Sequence, residues 1–140
     1  VFFVLLGCPN AQAYVPEMNR IAKAYRPKGW QFYLDYADTT VRLADLKRDA
    51  AQFGFTFPEV HGLGELARHG HITMSPEVAV FARTGKLEYH GRIDDRFYAL
   101  GKARLAARTH DLRSALDAID SGRPVRHLVT QVVGCILPQD

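Results

Sequence analysis

Cys8 and Cys135 are the residues of this 140-residue chain best suited to covalent chemistry, and they lie near its opposite ends. Cys8 follows six apolar residues, Val1 to Leu6, and then Gly7; it precedes Pro9 and a helical pattern. At a strand-to-helix turn, free backbone N–H groups and the positive end of the helix dipole favour a thiolate, the reactive form of cysteine. Pro9 suits the first helical turn because it has no N–H to leave unsatisfied. The same position also accommodates a small buried thiol that only packs, so position alone leaves nucleophile and packing thiol both open. Two cysteines fit one disulfide or two unrelated thiols, and their number does not set the compartment.

The elements that must hold these residues follow from periodicity. Tyr14, Met18, Ile21, Ala22 and Tyr25 fall at helical spacing and predict a helix from about Asn10 to Tyr25, with Pro16 bending it and Pro27 and Gly29 ending it. Trp30 to Tyr36 is aromatic-rich and predicts a second strand. Thr39 or Thr40 is placed to cap a helix whose apolar face is Leu43, Leu46, Ala50 and Phe53, with Gly54 as its stop. Phe55 to Val60 reads as a short strand and Gly64 to His69 as a short helix. The strongest β-signal is Val78 to Phe81, a Thr84-Gly85 turn and Leu87 to His90, a hairpin. Thr109 or Asp111 opens a last helix bearing Leu112, Ala115, Leu116 and Ile119, closed by Gly122 and Pro124. Val129 to Val133 is expected as an added edge strand. The order, strands alternating with helices and then a hairpin, implies parallel strands with an antiparallel edge.

Composition narrows the classes. A hydrophobic share of 47%, a charged share of 24% and a net charge of +3 are those of an ordinary globular domain. No basic run interleaved with aromatics supports nucleic-acid binding, and no stretch is long and apolar enough to cross a bilayer. The opening apolar run lacks the basic start and length of a signal peptide and reads as a buried strand. The expectation is one domain spanning 1–140, cut from a longer chain, since the sequence starts without Met.

A Cys after the first strand, a Pro eight residues later and Ser75-Pro76 just before the hairpin resemble the thioredoxin superfamily. That resemblance implies an α/β fold, a three-layer α/β/α sandwich with a mixed central sheet. It also implies a cis-proline at Pro76, with Ser75 facing Cys8. More narrowly, Cys8-Pro9-Asn10, Tyr14-Val15-Pro16-Glu17 and Ser75-Pro76-Glu77-Val78 resemble the redoxin branch, which includes the alkyl hydroperoxide reductase and thiol-specific antioxidant proteins. Tyr89 to Arg96, with its Gly-Arg-Ile-Asp-Asp-Arg run, and the Gly134-Cys135-Ile136 tail are similar to a bacterial subgroup of uncharacterised redoxin-domain proteins. An extracytoplasmic, periplasmic or envelope setting comes with that likeness.

The chain departs from the superfamily in two places. The second thiol of a Cys-x-x-Cys pair, which resolves a mixed disulfide, is replaced by Ala11. The Pro and Thr that a peroxiredoxin carries seven and three residues before its peroxidatic cysteine are Val1 and Leu5, which counts against a peroxidase. Two routes to chemistry remain. Cys8 acts as a lone nucleophile with an outside thiol as reductant, or Cys135 serves as a distant resolving cysteine if the tail folds back, Gly134 allowing the close approach. A tail thiol used only structurally is the bland reading of Cys135.

The six histidines invite a metal reading, but His69 and His71 are two apart and His61, His90, His110 and His127 are scattered. A copper-chaperone branch of the superfamily uses two cysteines and a histidine, and the paired cysteines are missing here. No metal and no cofactor is therefore expected. Asp94 and Asp95 between Arg92 and Arg96 read first as a salt-bridged turn, and 102–108 as a solvated loop. The leading expectation is a thiol–disulfide redox protein acting on a protein or small-molecule thiol or disulfide. Its catalytic residues would be Cys8 and Cys135, and its substrate-binding surround Pro9, Ser75 and Pro76. The alternative is a redox-inactive thioredoxin-fold binding or scaffold module of a larger envelope protein.

Overall fold

The structure is a computed structural model and describes residues 1–60 and 64–138. Nine strands, four α-helices and one short 3-10 helix (Arg26–Lys28) are assigned among the described residues. The opening apolar run forms β1 (Phe2–Val4), buried throughout. It takes the middle of a five-stranded sheet because both of its edges find partners. On one side lies β2 (Leu34–Tyr36), parallel, followed by β3 (Glu59–Val60), also parallel; on the other lies β5 (Glu77–Phe81), antiparallel, followed by β6 (Leu87–Gly91). The sheet is mixed, as the alternating order and the hairpin require.

Strand alternation splits the core into two layers. Phe2 and Val4 face a cluster with Met18 and Ile21 of α1 (Pro9–Tyr25) and Leu112 and Leu116 of α4 (Asp111–Asp120). Phe3 and Ala79 face the other way, toward Ala67 of α3 (Glu65–His69), Ile72 and Leu137. Helices therefore cover both faces of the sheet. Pro16 is held inside α1 on its exposed side.

Several boundaries differ from the sequence reading. Only Leu34 to Tyr36 of the aromatic stretch is strand; Phe32 instead stacks on Phe2, with ring centroids 6.0 Å apart. Neither Thr39 nor Thr40 caps α2 (Leu43–Phe53), whose N-cap is Arg42. The hydroxyl and N–H of Thr40 both turn back to Asp38 Oδ1, at 2.6 and 2.9 Å, so the local Asx-turn wins over the cap. Gly54 does close α2. The last helix begins at Asp111, with His110 as its N-cap and the Thr109 hydroxyl donating to Asp111. The expected edge strand over Val129 to Val133 is reduced to one bridge, Val129 beside His90. The tail extends a different sheet: β9 (Cys135–Ile136) pairs antiparallel with β4 (Met74–Ser75). A small hairpin, β7 (Phe97–Ala99) and β8 (Lys102–Ala103), falls in the stretch that carries the expected solvated loop.

Candidate active site

Cys8 is the N-cap of α1, and Pro9 is the first residue of the helix. The Cys8 carbonyl accepts from Gln12 N–H at 3.0 Å, while its own N–H donates to Leu5 O at 3.2 Å. No side chain caps this helix end and no acidic residue sits in its first turn, so the dipole and the N–H groups there are left to act on the sulfur. Burial works against charge: Cys8 is only 2% exposed, and desolvation disfavours a thiolate.

Ser75 and Pro76, joined by a cis peptide bond, lie across from this turn. Ser75 is fully buried; its Oγ accepts from Leu5 N–H at 2.8 Å. Its carbonyl oxygen lies 3.3 Å from Cys8 Sγ, where a reduced thiol would donate to it. The loop that carries them is fixed from behind by Glu77, whose Oε2 accepts from the N–H groups of Thr73 and Met74 at 3.0 and 3.1 Å. Buried Glu77 also meets His90 Nδ1 at 3.3 Å through its other oxygen.

The tail brings the second cysteine to the same place. In the β4–β9 pairing Ser75 stands opposite Cys135, and Cys135 is in a disulfide with Cys8, 127 residues away in sequence and 6.2 Å between Cα atoms. Gly134 is required by contact: a Cβ there would run into the Ser75 carbonyl. The five expected residues, Cys8, Pro9, Ser75, Pro76 and Cys135, therefore converge on one turn.

Sequence reasoning missed Asn10. It is fully buried in the first turn of α1, donates from Nδ2 to Val133 O at 3.1 Å and accepts on Oδ1 from Gly101 N–H at 2.9 Å. The signal was present: Asn10 lies one helical step of four before Tyr14, on the face that carries Met18 and Ile21. It also missed Thr130, whose hydroxyl contacts Tyr89 OH at 2.6 Å and accepts from Arg92 N–H at 3.0 Å. Gly91, at φ +145°, leaves the room Thr130 fills.

The Arg-Ile-Asp-Asp-Arg run is a joint between elements rather than a set of mutual salt bridges. Arg92 pairs with Asp111 of α4 at 2.8 Å. Asp94 accepts from the Tyr14 hydroxyl and from Arg96 N–H, and Asp95 from the N–H groups of Arg108 and Thr109. Burial, and then the Asp94 carboxylate, push the Tyr14 hydroxyl far above its ordinary range, so it stays protonated and donating.

Among the described residues, no group of three or more His, Cys, Asp or Glu is placed to hold a metal ion. His69 stacks on Phe81, His71 lies beside His90, and His61 is outside the described residues. Among the described residues, no helix is long and apolar enough to cross a membrane.

No protein-family model matches the chain, and no curated protein matches it in sequence. Solved structures do. An uncharacterized conserved protein from Geobacillus kaustophilus is 25% identical, with a TM-score of 0.80 over 99% of this chain and 75% of its own. A hypothetical protein from Sinorhizobium meliloti 1021 is 22% identical, with a TM-score of 0.77 over 97% of this chain and 76% of its own. A protein from Chlorobium tepidum described as a thiol:disulfide interchange protein, DsbE, is 22% identical, with a TM-score of 0.54 over 64% of this chain and 62% of its own. The fold is thioredoxin-like, and the disulfide-forming pair within it is compatible with thiol–disulfide redox function.

Proposed function

We propose that this protein is a thiol–disulfide interchange protein of the redoxin branch, with Cys8 as nucleophile and Cys135 as resolving cysteine. The observation that carries this reading is the Cys8–Cys135 disulfide, set between an uncapped helix N-terminus and the Ser75–Pro76 loop. The reduced pair would donate two electrons to an outside disulfide, R–S–S–R′. The Cys8 thiolate attacks one sulfur, forming Cys8–S–S–R and releasing R′S⁻, which takes up a proton. The Cys135 thiolate then attacks Cys8 Sγ, closing Cys8–Cys135 and releasing RS⁻. Two outside thiols run the same steps backwards and restore the dithiol. Ser75 and Pro76 would line the approach to Cys8, and Pro9 would fix the start of the helix that stabilises its thiolate. A disulfide suits an oxidising setting, in keeping with an extracytoplasmic location. Peroxidase chemistry is not proposed, since Val1 and Leu5 offer no hydroxyl beside the sulfur.

A second reading is favoured by one observation, the near-complete burial of Cys8: a redox-inactive binding module with a structural disulfide. Intact mass after thiol alkylation across pH, with and without reduction, separates the two. Interchange chemistry predicts two thiols only after mild reduction, with one alkylating well below the free-cysteine value of about 8.5. Thiols that react only in unfolded protein would overturn it and leave the binding module.

A further inference from the structure

A fully buried amide in the first turn of a helix is costly to place, because Asn is a poor helix former and an unpaired buried amide loses its water partners. Asn10 repays that cost at long range. Its acceptor holds Gly101, in the turn between β7 and β8, and its donor holds Val133, two residues before Cys135. The tail is also fixed on either side of the disulfide, at Thr130 through its hydroxyl and at Leu137 through its N–H to Thr73 O at 2.9 Å. Between those anchors, residues 131–136 rest on the β4 edge, on Asn10 and on the disulfide. Cys8 is only 2% exposed, Cys135 is bonded to its sulfur, and Val133 and Cys135 pack against the cluster that contains it. An outside disulfide can reach Cys8 only when this segment lifts.

We propose that Asn10 is a positioning residue, the latch that holds the Cys135-bearing strand over Cys8 and thereby sets how often Cys8 is open to exchange. The proposal rests on the interchange reading above and assigns Asn10 no contact with the reacting atoms. Two quantities follow from one opening equilibrium. Where the reduced tail is mostly closed, weakening the latch raises the reactivity of Cys8 in proportion. Where it is mostly open, weakening the latch lowers the tendency of the pair to close into a disulfide in the same proportion. At least one must change.

The test uses the folded chain in a Cys135→Ser background, so that Cys8 is the only thiol, with iodoacetamide as probe at the high-pH plateau of the rate. Adding Asn10→Ala is expected to speed Cys8 alkylation up to about tenfold, the upper end of what its one hydrogen bond to the tail is worth. The speeding should be independent of low urea, as local opening is and global unfolding is not. In the two-cysteine protein, the same substitution is expected to shift the disulfide equilibrium with glutathione toward the dithiol wherever alkylation does not change. Both readouts within twofold of the parent, or an acceleration that tracks urea as unfolding does, would overturn the latch. If Asn10→Ala does not fold, the parent protein decides by hydrogen exchange. The Asn10 side-chain amide protons must be protected when oxidised, and when reduced must exchange with the opening constant that alkylation gives; amide protons unprotected in both states would overturn the proposal. A parent disulfide that never exchanges with glutathione would instead overturn the interchange reading, leaving the alkylation result to stand by itself.

Discussion

Cys8 and Cys135 share a bond but sit in regions built in opposite ways. Residues 1–25 hold Cys8 between a fully buried strand, paired on both edges, and a 17-residue helix with buried side chains along its length. The region from 121 to 138 holds Cys135 in a strand of two residues, fixed by its short pairing with β4, the bridge beside His90, scattered backbone and side-chain hydrogen bonds and the disulfide itself. Regular structure shares its hydrogen bonds among neighbours, so the upstream sulfur has one position. The tail depends on scattered contacts, each worth about 1 kcal/mol, so its sulfur can move while the fold persists. A resolving cysteine needs that freedom, and a nucleophile at a helix end needs the opposite.

The largest test of this contrast is to remove the disulfide. A cross-link spanning 127 residues restricts the unfolded chain strongly, by about 3–5 kcal/mol on the chain-entropy argument. Urea unfolding of the oxidised protein against a Cys8→Ser/Cys135→Ser variant is expected to show a loss of that size. Hydrogen exchange should place the local loosening in the tail, with β1 and α1 still protected. Equal loosening of both regions would break the comparison.

Gly134→Ala comes next. The added Cβ meets the Ser75 carbonyl, a backbone atom with no easy way to yield, so the tail must shift off β4 at a cost of about 2–3 kcal/mol. The disulfide equilibrium with glutathione should move toward the dithiol by tenfold or more, a shift of about 1.4 kcal/mol at least. An unchanged equilibrium in a folded variant would mean that the β4–β9 pairing does not position Cys135.

The two regions also differ in how far the sequence discloses them. Val1 to Leu6 and the spacing of Tyr14, Met18, Ile21 and Tyr25 carry a clear period, and the strand, turn and helix follow from it. The hairpin over Val78 to His90 is as plain. Two-residue strands such as β4 and β9 have no period to read; their existence is set by the surface they meet. The β-branched residues of Val129 to Val133 signal a strand, yet the pairing is made by Cys135 and Ile136, where Gly134 lets the chain pass close to the Ser75 carbonyl. The meeting of the two cysteines is illegible for the same reason; the spacing of Asn10 discloses its buried face but not its partners, 91 and 123 residues away.

A smaller effect is expected at Thr130, the upstream anchor of the tail. Thr130→Val keeps the shape but removes the hydroxyl that serves Tyr89 and the Arg92 N–H, and should cost about 1–2 kcal/mol. Its mark would be faster exchange of tail amides with α1 unaffected. Protection lost in α1 as well would show that the tail and the upstream half open together.

Tyr25, at the far end of α1, supplies the counterpart within the upstream region. Its hydroxyl donates to Asp117 Oδ1 at 2.7 Å, and burial, then that carboxylate, push its pKa up from 10.0 to about 12. A raised phenol pKa means that folding favours the protonated form. That contribution is complete below pH 10 and is lost as pH rises from about 10 to 12. Tyr25→Phe should therefore cost only about 1 kcal/mol near neutrality and flatten the alkaline fall in stability over that window, read by urea unfolding of the oxidised protein. The disulfide equilibrium with glutathione should stay where it was, because the bond lost joins α1 to α4 and touches neither anchor of the tail. A shift in that equilibrium would mean that the Cys8 helix yields along its whole length, and the division between a fixed sulfur and a movable one would fail.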